Sequence, residues 1–324
     1  MRTPSFWYQK FSPFGWLLAP LGWLYGGIGK FLRRRITAQK ISIPVICVGN
    51  ITLGGAGKTP VVNELAQRLQ SQGVKVHILS RGYGGTELGP FYVDPKKHSA
   101  AQVGDEPLLL AEIAPTWVAA NKVRGALSAQ AAGAQMLILD DGLQNLALYK
   151  DISLLVMDGQ HALGNGQIFP AGPLRENLSD ALRRVDAVVW IGGGTPPAKI
   201  TQSGKLMLRA KTETTCDHHL KARAVFAFCG LGLPQKFFNS LQAQGAVLLG
   251  TRSFADHHPY TVADIESLLK EAGRLSALPV TTAKDAARIP AEFLSHLTVC
   301  DLRLIWEDEK PLEALLKTLT TGIS

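Results

Sequence analysis

Cysteine is scarce in this chain and never paired in sequence: Cys47, Cys216, Cys229 and Cys300 stand far apart among 324 residues. The absence of any CxxC spacing argues against a structural zinc site. The low cysteine density argues against a secreted disulfide scaffold, so reduced, cytosolic thiols are expected. Acidic residues are missing from the N-terminal region, where no Asp or Glu precedes Glu64. Eight of the 34 Lys and Arg residues lie there, and the basic residues that follow balance the 26 acidic ones. The net charge of +8 therefore belongs to an N-terminal arm and not to the body. That distribution argues against a nucleic-acid surface, and no protein partner is expected. Charged residues make up only 19% and hydrophobic residues 46%, which excludes a disordered chain. No internal repeat or low-complexity tail is present. At ~100–200 residues per domain, the length predicts about two domains.

The arm has its own pattern. No charged residue occurs from Phe11 to Gly29, and Trp7, Tyr8, Trp16, Trp23 and Tyr25 crowd this region. As a helix the stretch would be ~28 Å long, close to the thickness of a bilayer core. Pro13, Pro20 and several glycines weaken a straight span, and aromatic residues favour the membrane interface. Lys30-Phe31-Leu32-Arg33-Arg34-Arg35 follows directly and suits anionic headgroups. The charges lie on the wrong side of the apolar run for a cleaved signal peptide. The expectation is a monotopic anchor or a single insertion with its basic end in the cytoplasm; the alternative is a hairpin buried against the body.

Downstream, apolar runs alternate with helical patterns. Ile43–Val48, Val74–Leu79, Met136–Leu139, Ile152–Met157 and Ala187–Ile191 read as buried strands, and Val61–Gln72 as an amphipathic helix. Such alternation predicts an α/β fold with a parallel sheet covered by helices on both faces. Gly192–Pro197 breaks the rhythm, and a polar stretch runs on to His219. A second, smaller α/β set then begins at Ala224–Phe228 and continues through Val247–Leu249, a helix over Val262–Gly273, Pro279–Thr282 and Leu297–Ile305. The expected organisation is an anchor over 1–40, a P-loop nucleotide-binding domain over 41–210 and a smaller α/β domain over 211–324.

The most specific local pattern is Gly49-Asn50-Ile51-Thr52-Leu53-Gly54-Gly55-Ala56-Gly57-Lys58-Thr59, set between a strand and a helix. In a P-loop, glycines let backbone N–H groups converge on phosphate oxygens at a helix N-terminus. Thr52 through Thr59 would cradle ATP, with Lys58 on the phosphates and the Thr59 hydroxyl on Mg²⁺. Thr52 replaces the first glycine of the usual motif. Partition and septum-site ATPases carry a lysine just before the paired glycines, where this chain has Leu53, which counts against a nucleotide switch of that kind. Met136–Asp141 is an apolar strand ending in Asp140 and Asp141, placed to meet the same Mg²⁺. Gly104-Asp105-Glu106-Pro107 has two readings: Asp105 as a helix N-cap, or as a general base or a group behind Mg²⁺. Asp256-His257-His258-Pro259-Tyr260 reads either as a surface turn or as a histidine oriented for proton handling.

Taken together, these motifs resemble the tetraacyldisaccharide 4'-kinases, the lipid A 4'-kinases of Gram-negative bacteria. The resemblance runs in order through GNITLGGAGKTP, SRGYGG, GDEP, DDGLQN, PAGPLRE, FCGLGLP, DHHPY and TAKDAAR. It implies transfer of the ATP γ-phosphate to the 4'-hydroxyl of a lipid A disaccharide 1-phosphate at the cytoplasmic face of the inner membrane. It also implies a P-loop α/β domain joined by a β-ribbon to a smaller one, with the site between them. Asp105 falls at the family's catalytic-base position, assisted by His257; Asp140 and Asp141 fall near Mg²⁺ and ATP. Arg175 matches the arginine of PAGPLRE as a phosphate contact, and Arg124 is expected to line the cleft. Two positions depart from the pattern: Asn145 stands where a histidine is usual, and Ala283 where a glutamate is usual. The alternatives are a membrane-associated P-loop switch and a P-loop kinase for another membrane sugar.

Overall fold

A computed structural model of the chain describes residues 4–9, 11–33 and 36–320. Among the described residues, twelve strands form one sheet that divides into two parallel sets. The first holds β1 (Val45–Gly49), β2 (Val76–Ser80), β3 (Phe91–Val93), β4 (Thr116–Val118), β5 (Met136–Asp140), β6 (Ile152–Asp158), β7 (Ala187–Ile191) and β8 (Leu206–Cys216). Their spatial order is β8-β7-β6-β1-β5-β2-β4-β3, and only the edge strand β3 runs antiparallel. The second set holds β9 (Ala224–Cys229), β10 (Val247–Ser253), β11 (Leu278–Thr282) and β12 (Thr298–Trp306), in the order β10-β9-β11-β12.

Burial on both faces explains the apolar runs. In β1, Val45 and Cys47 enter a core with Leu137, Leu139 and Trp190. Ile46 and Val48 enter the opposite core with Val61, Leu65 and Leu69 of the helix Lys58–Ser71. The second set repeats the design. Val225 and Ala227 face Phe237 and Leu241, whereas Phe226 and Phe228 face Ile265 and Leu268. The helix Val262–Arg274 is started by a reciprocal capping box between Thr261 and Asp264.

The sets are joined by the antiparallel pairing of β8 with β12, from Ala210 opposite Trp306 to Cys216 opposite Cys300. Ala210 also pairs with Ile191 of β7, and Cys300 with Thr282 of β11. Between those points the two strands have only each other and form a two-stranded ribbon. Residue 210, the expected boundary, lies where β8 passes from the first set into this ribbon. In sequence β8 reads as a polar stretch, because a ribbon exposed on both sides needs no apolar alternation. Gly192–Pro197 belongs to the crossover between the neighbouring parallel strands β7 and β8. The helix Lys310–Thr320 returns to the first set and buries Leu312 and Leu316 beside Val61 and Leu65. The expected extent of 211–324 for the smaller unit therefore includes a terminal helix that packs elsewhere.

The expectation of four free thiols is corrected. Cys216 and Cys300 form a disulfide across the ribbon, their Cα atoms 4.0 Å apart. They are 84 residues apart in sequence, and only the strand register brings them face to face. Cys47 and Cys229 are free and buried.

At the N-terminus, the helix Pro13–Arg33 lies against the segment Asn165–Ala171. Gly15, Ala19, Gly22 and Gly26 recur on the docked side at helical spacing. A Cβ on Gly22 would stand 2.7 Å from the Ile168 carbonyl oxygen, so glycine is required for this approach. The Trp7 indole N–H donates to the Pro170 carbonyl at 3.1 Å. The other side exposes Phe14, Trp16, Leu17, Leu21, Trp23, Leu24 and Ile28. The helix is thus neither a buried hairpin nor free of the body. No helix among the described residues is long and apolar enough to cross a membrane, so the single-insertion arrangement finds no support. Arg34 and Arg35 lie outside the described residues. We predict that Gly22→Leu destabilises the protein by about 1–3 kcal/mol, the usual cost of overpacking, and exposes the arm to protease; thermal melting and limited proteolysis check this.

Candidate functional site

Antiparallel β8–β12 pairing decides where the site lies. β8 runs from the first set toward the second, and β12 runs back. Each is parallel to its own set, so the C-terminal edges of the two sets face each other. Ligands of open α/β sheets bind at that edge, and here two such edges confront one cleft.

On the first side, β1 leads into the glycine loop. The loop is braced from outside: Leu53 N–H donates to the Pro173 carbonyl and Arg175 N–H to the Ile51 carbonyl, both at 2.7 Å. Thr52 forms an antiparallel bridge with Leu174. This bridge explains the departure from the motif, because an extended, hydrogen-bonded residue needs no glycine. Gly54 and Gly55 are exposed at the rim, and Ala56 is buried. Gly57 adopts the left-handed conformation (φ 83°) that starts the helix at Lys58 and Thr59. A Cβ there would also stand 2.8 Å from Ile191 Cδ1. Lys58 Nζ lies 3.4 Å from Asn50 Oδ1 and 3.7 Å from Asp141 Oδ1.

Asp140 ends β5. Its Oδ2 accepts from the Ser80 hydroxyl at 3.1 Å, while its buried Oδ1 has no hydrogen-bond partner. Burial, then the nearby Glu106 charge, pushes its carboxyl up to about 6. Asp141, at φ 52°, takes Arg175 Nη1 at 2.9 Å. Burial works against its charge, but Lys58 and Arg175 hold its carboxyl below the ordinary range. Arg175 is thereby tied to Asp141 at the loop. Arg124 is exposed on the helix Lys122–Ala131, and no described contact brings its side chain to the cleft. Two residues earlier, Lys122 is buried, with no hydrogen-bond partner for Nζ. Burial brings its ammonium down to about 8, against the pull of Asp140. No motif reaches Lys122; its signal in sequence is a lysine in the first turn of a helix that follows a strand at this edge.

Asp105 is the first residue of the helix Asp105–Ala111, and Gly104 holds the N-cap position without a side-chain cap. The capping reading is therefore wrong for Asp105. Its buried carboxylate instead reaches across the cleft, with Oδ2 3.0 Å from His257 Nδ1 and 3.7 Å from Arg288 Nε. Glu106 crosses as well, to Lys284 Nζ at 2.5 Å. His257 is held in the left-handed region (φ 58°), where a side chain other than glycine or asparagine needs support. Asp285 supplies it indirectly. Its fully buried carboxylate accepts from Gly230 N–H at 2.8 Å, the Tyr260 hydroxyl at 2.9 Å and Arg288 Nη2 at 2.9 Å. Arg288 in turn donates to the His258 carbonyl at 3.2 Å. The loop carrying His257 is thus fastened to the start of the helix Ala283–Ala286. Asn145, the first departure from the family pattern, uses Oδ1 to accept from Ala147 N–H at 3.1 Å within a turn.

Among the described residues, no three His, Cys, Asp or Glu side chains cluster to hold a metal by themselves. The orphaned Asp140 Oδ1 fits an Mg²⁺ that keeps water and phosphate oxygens as its other ligands. A braced glycine loop at a helix N-terminus, with acidic side chains at the edge of a covered parallel sheet, defines a nucleotide-binding α/β protein of the P-loop class.

The chain belongs to the tetraacyldisaccharide-1-P 4'-kinase family, whose model matches residues 14–321. It is 44% identical over 334 residues to the tetraacyldisaccharide 4'-kinase of Rhodospirillum centenum, covering 99% of this chain and 98% of the relative. It is 48% identical over 310 residues to that of Paramagnetospirillum magneticum, covering 95% of each. The crystal structure of Aquifex aeolicus LpxK in complex with ATP superposes with a TM-score of 0.76 at 28% identity, covering 94% of this chain and 99% of that one. Family membership leaves no support for the switch alternative.

The charged pair at the cleft has a defined pH response. The hydrogen bond to Asp105 raises the His257 imidazole above its ordinary 6.5, with burial opposing. Burial opposes the Asp105 charge, but the His257 bond and the Lys284 and Arg288 charges hold its carboxyl below the ordinary 3.8. His257 therefore contributes stability in full below 6.5 and loses it as pH rises through the raised value. The Asp105 contribution is present above 3.8 and is lost as pH falls through the depressed value. We predict that His257→Gln lowers the melting temperature most in mildly acidic buffer, and that the gap from wild type narrows as pH rises above 6.5.

Proposed function

We propose that this chain transfers the γ-phosphate of ATP to the 4'-hydroxyl of tetraacyldisaccharide 1-phosphate, a late step of lipid A biosynthesis. The observation that carries the reading is the buried Asp105 carboxylate, which stands on the same side as Lys58 and the glycine loop and pairs across the cleft with His257 at 3.0 Å. Phosphoryl transfer asks for positioning and charge neutralisation, with a base for the acceptor hydroxyl. Asp105 accepts that proton. His257 fixes the carboxylate's orientation and keeps it ionised until the acceptor arrives. Backbone N–H groups of Thr52 through Thr59 bind phosphate oxygens, and Lys58 sets its charge against the transferring group. Thr59 and Asp140 would hold Mg²⁺, with Asp141 behind them, and the ion would supply further neutralisation of the phosphate oxygens. The assignment of Asp140 over Asp141 rests on charge partners: each has an Oδ1 without a hydrogen bond, but Asp141 is ion-paired with Lys58 and Arg175, whereas no described ion pair engages Asp140. Arg175 meets phosphate beside the glycine loop, and Arg124, exposed on the helix Lys122–Ala131, is open to substrate in the cleft.

The N-terminal helix lies in the membrane interface at the cytoplasmic face of the inner membrane. Its exposed Trp16, Leu17, Leu21, Trp23 and Leu24 support this reading, as do the basic residues that follow. There the arm holds the cleft where an acylated acceptor resides. The expected domain division, with the second set closing over the first, fits a site whose residues come from both.

The test uses purified protein, Mg²⁺ and γ-labelled ATP with three acceptor conditions: lipid A disaccharide 1-phosphate, no lipid, and the disaccharide lacking its free 4'-hydroxyl. Label is expected on the first lipid alone; ATP cleavage with no labelled lipid overturns the reading. Asp105→Asn should lower turnover by ~100-fold or more, the scale of a general base. Trp16→Glu with Trp23→Glu should reduce recovery on anionic vesicles and leave ATP binding unchanged.

A further inference from the structure

A further bridge crosses the cleft away from the Asp105–His257 and Glu106–Lys284 pairs. Asp158 is the last residue of β6, at the first set's C-terminal edge. Lys236 lies in the first turn of the helix Pro234–Ala243, in the second set. Its Nζ stands 2.6 Å from Asp158 Oδ2, with only 18% of the aspartate side chain accessible. The same oxygen lies 2.8 Å from His161 Nδ1, and Oδ1 accepts from Gln160 N–H at 3.1 Å. Tyr8, in the turn before the N-terminal helix, sets its ring 5.0 Å from the His161 imidazole. Asp158 is therefore oriented from its own side before Lys236 reaches it. No residue of this group touches the glycine loop, Asp105 or His257 in the described contacts.

We propose that Lys236 and Asp158 form a latch that sets how much of the protein has its two C-terminal edges brought together, making Lys236 a positioning residue for the transfer reaction. The inference rests on the kinase reading above. A short, charge-assisted hydrogen bond between the end of β6 and a helix of the other set exists only while the edges are close. Opening the cleft exposes both charges to water and gives up that bond. Substrates that bind between the edges need them together, so their apparent affinity scales with the fraction of molecules already closed. In the described contacts the latch residues touch none of the groups assigned to phosphoryl transfer. Its loss therefore acts on substrate binding, and saturating substrate restores the closed form.

Steady-state kinetics of the full chain with Mg·ATP and lipid A disaccharide 1-phosphate test this. Lys236→Ala is expected to raise the KM for ATP about five-fold, the size of one partly exposed hydrogen bond to a charged group, with kcat within about two-fold of wild type. Lys236→Arg should restore the KM. Asp158→Asn should raise it similarly, and the double variant should be no worse than either single one, because both remove the same bond. An unchanged KM in Lys236→Ala overturns the latch. So does a fall in kcat at constant KM, which would put Lys236 in the chemistry, and so do additive effects in the double variant. Melting temperatures separate a latch from a folding defect, since a KM increase that follows lost stability also overturns it. A wild-type protein that labels no lipid refutes the kinase reading instead, which is a separate outcome.

Discussion

The antiparallel pairing of β8 with β12 is the constraint on which the arrangement depends. Two parallel α/β sets joined in parallel would present their ligand-binding edges in the same direction, side by side. Reversing one strand at the junction turns those edges toward each other. Side chains from distant stretches of chain then meet: Asp105 with His257 at 3.0 Å, Glu106 with Lys284 at 2.5 Å. None of these pairs is local, and none can form unless the ribbon holds its register from Ala210 to Cys216. The disulfide between Cys216 and Cys300 fixes that register at its far end.

The polar side chains divide into those that hold and those that are held. Asp285 has every useful direction of its carboxylate occupied, by Gly230, Tyr260, Thr282 and Arg288. Such a fully satisfied buried charge is rigid, and it gives the His257 loop a fixed base. Asp140 is the opposite case, with one oxygen on Ser80 and the other unpartnered, its carboxyl raised to about 6 by burial and Glu106. A half-satisfied buried carboxylate costs stability, and such groups collect where a ligand completes them.

Much of this was legible in the sequence where physics is local. The strands buried on both faces announce themselves as apolar runs, and the glycine loop sits between a strand and a helix as its chemistry requires. What escaped depends on partners far along the chain. β8 reads as polar because a two-stranded ribbon exposes both faces. Cys216 and Cys300 read as separate thiols because register, not spacing, pairs them. Thr52 looks like a flaw in the motif until its bridge to Leu174 supplies the extended conformation it adopts. Asp105 looks like a cap because acidic residues favour helix starts, yet Gly104 takes that position and frees the carboxylate for the cleft. At the start of the helix Lys122–Ala131, Arg124 is exposed and Lys122 is buried, because two positions on a helix differ by ~200° in direction, and sequence spacing alone does not say which of them turns inward.

The return of the helix Lys310–Thr320 to the first core has a mechanical consequence. The chain leaves the first body through β8 and re-enters through β12, at adjacent positions. The smaller set is therefore carried on two threads and not on a single tether. A single tether permits swivelling in any direction. Two hydrogen-bonded strands, cross-linked at Cys216 and Cys300, resist swivelling and sideways slip and leave bending and twisting of one ribbon as the soft motions. Any approach of the two edges is thus confined to a narrow arc, and the groups that meet on that arc meet in the same order each time.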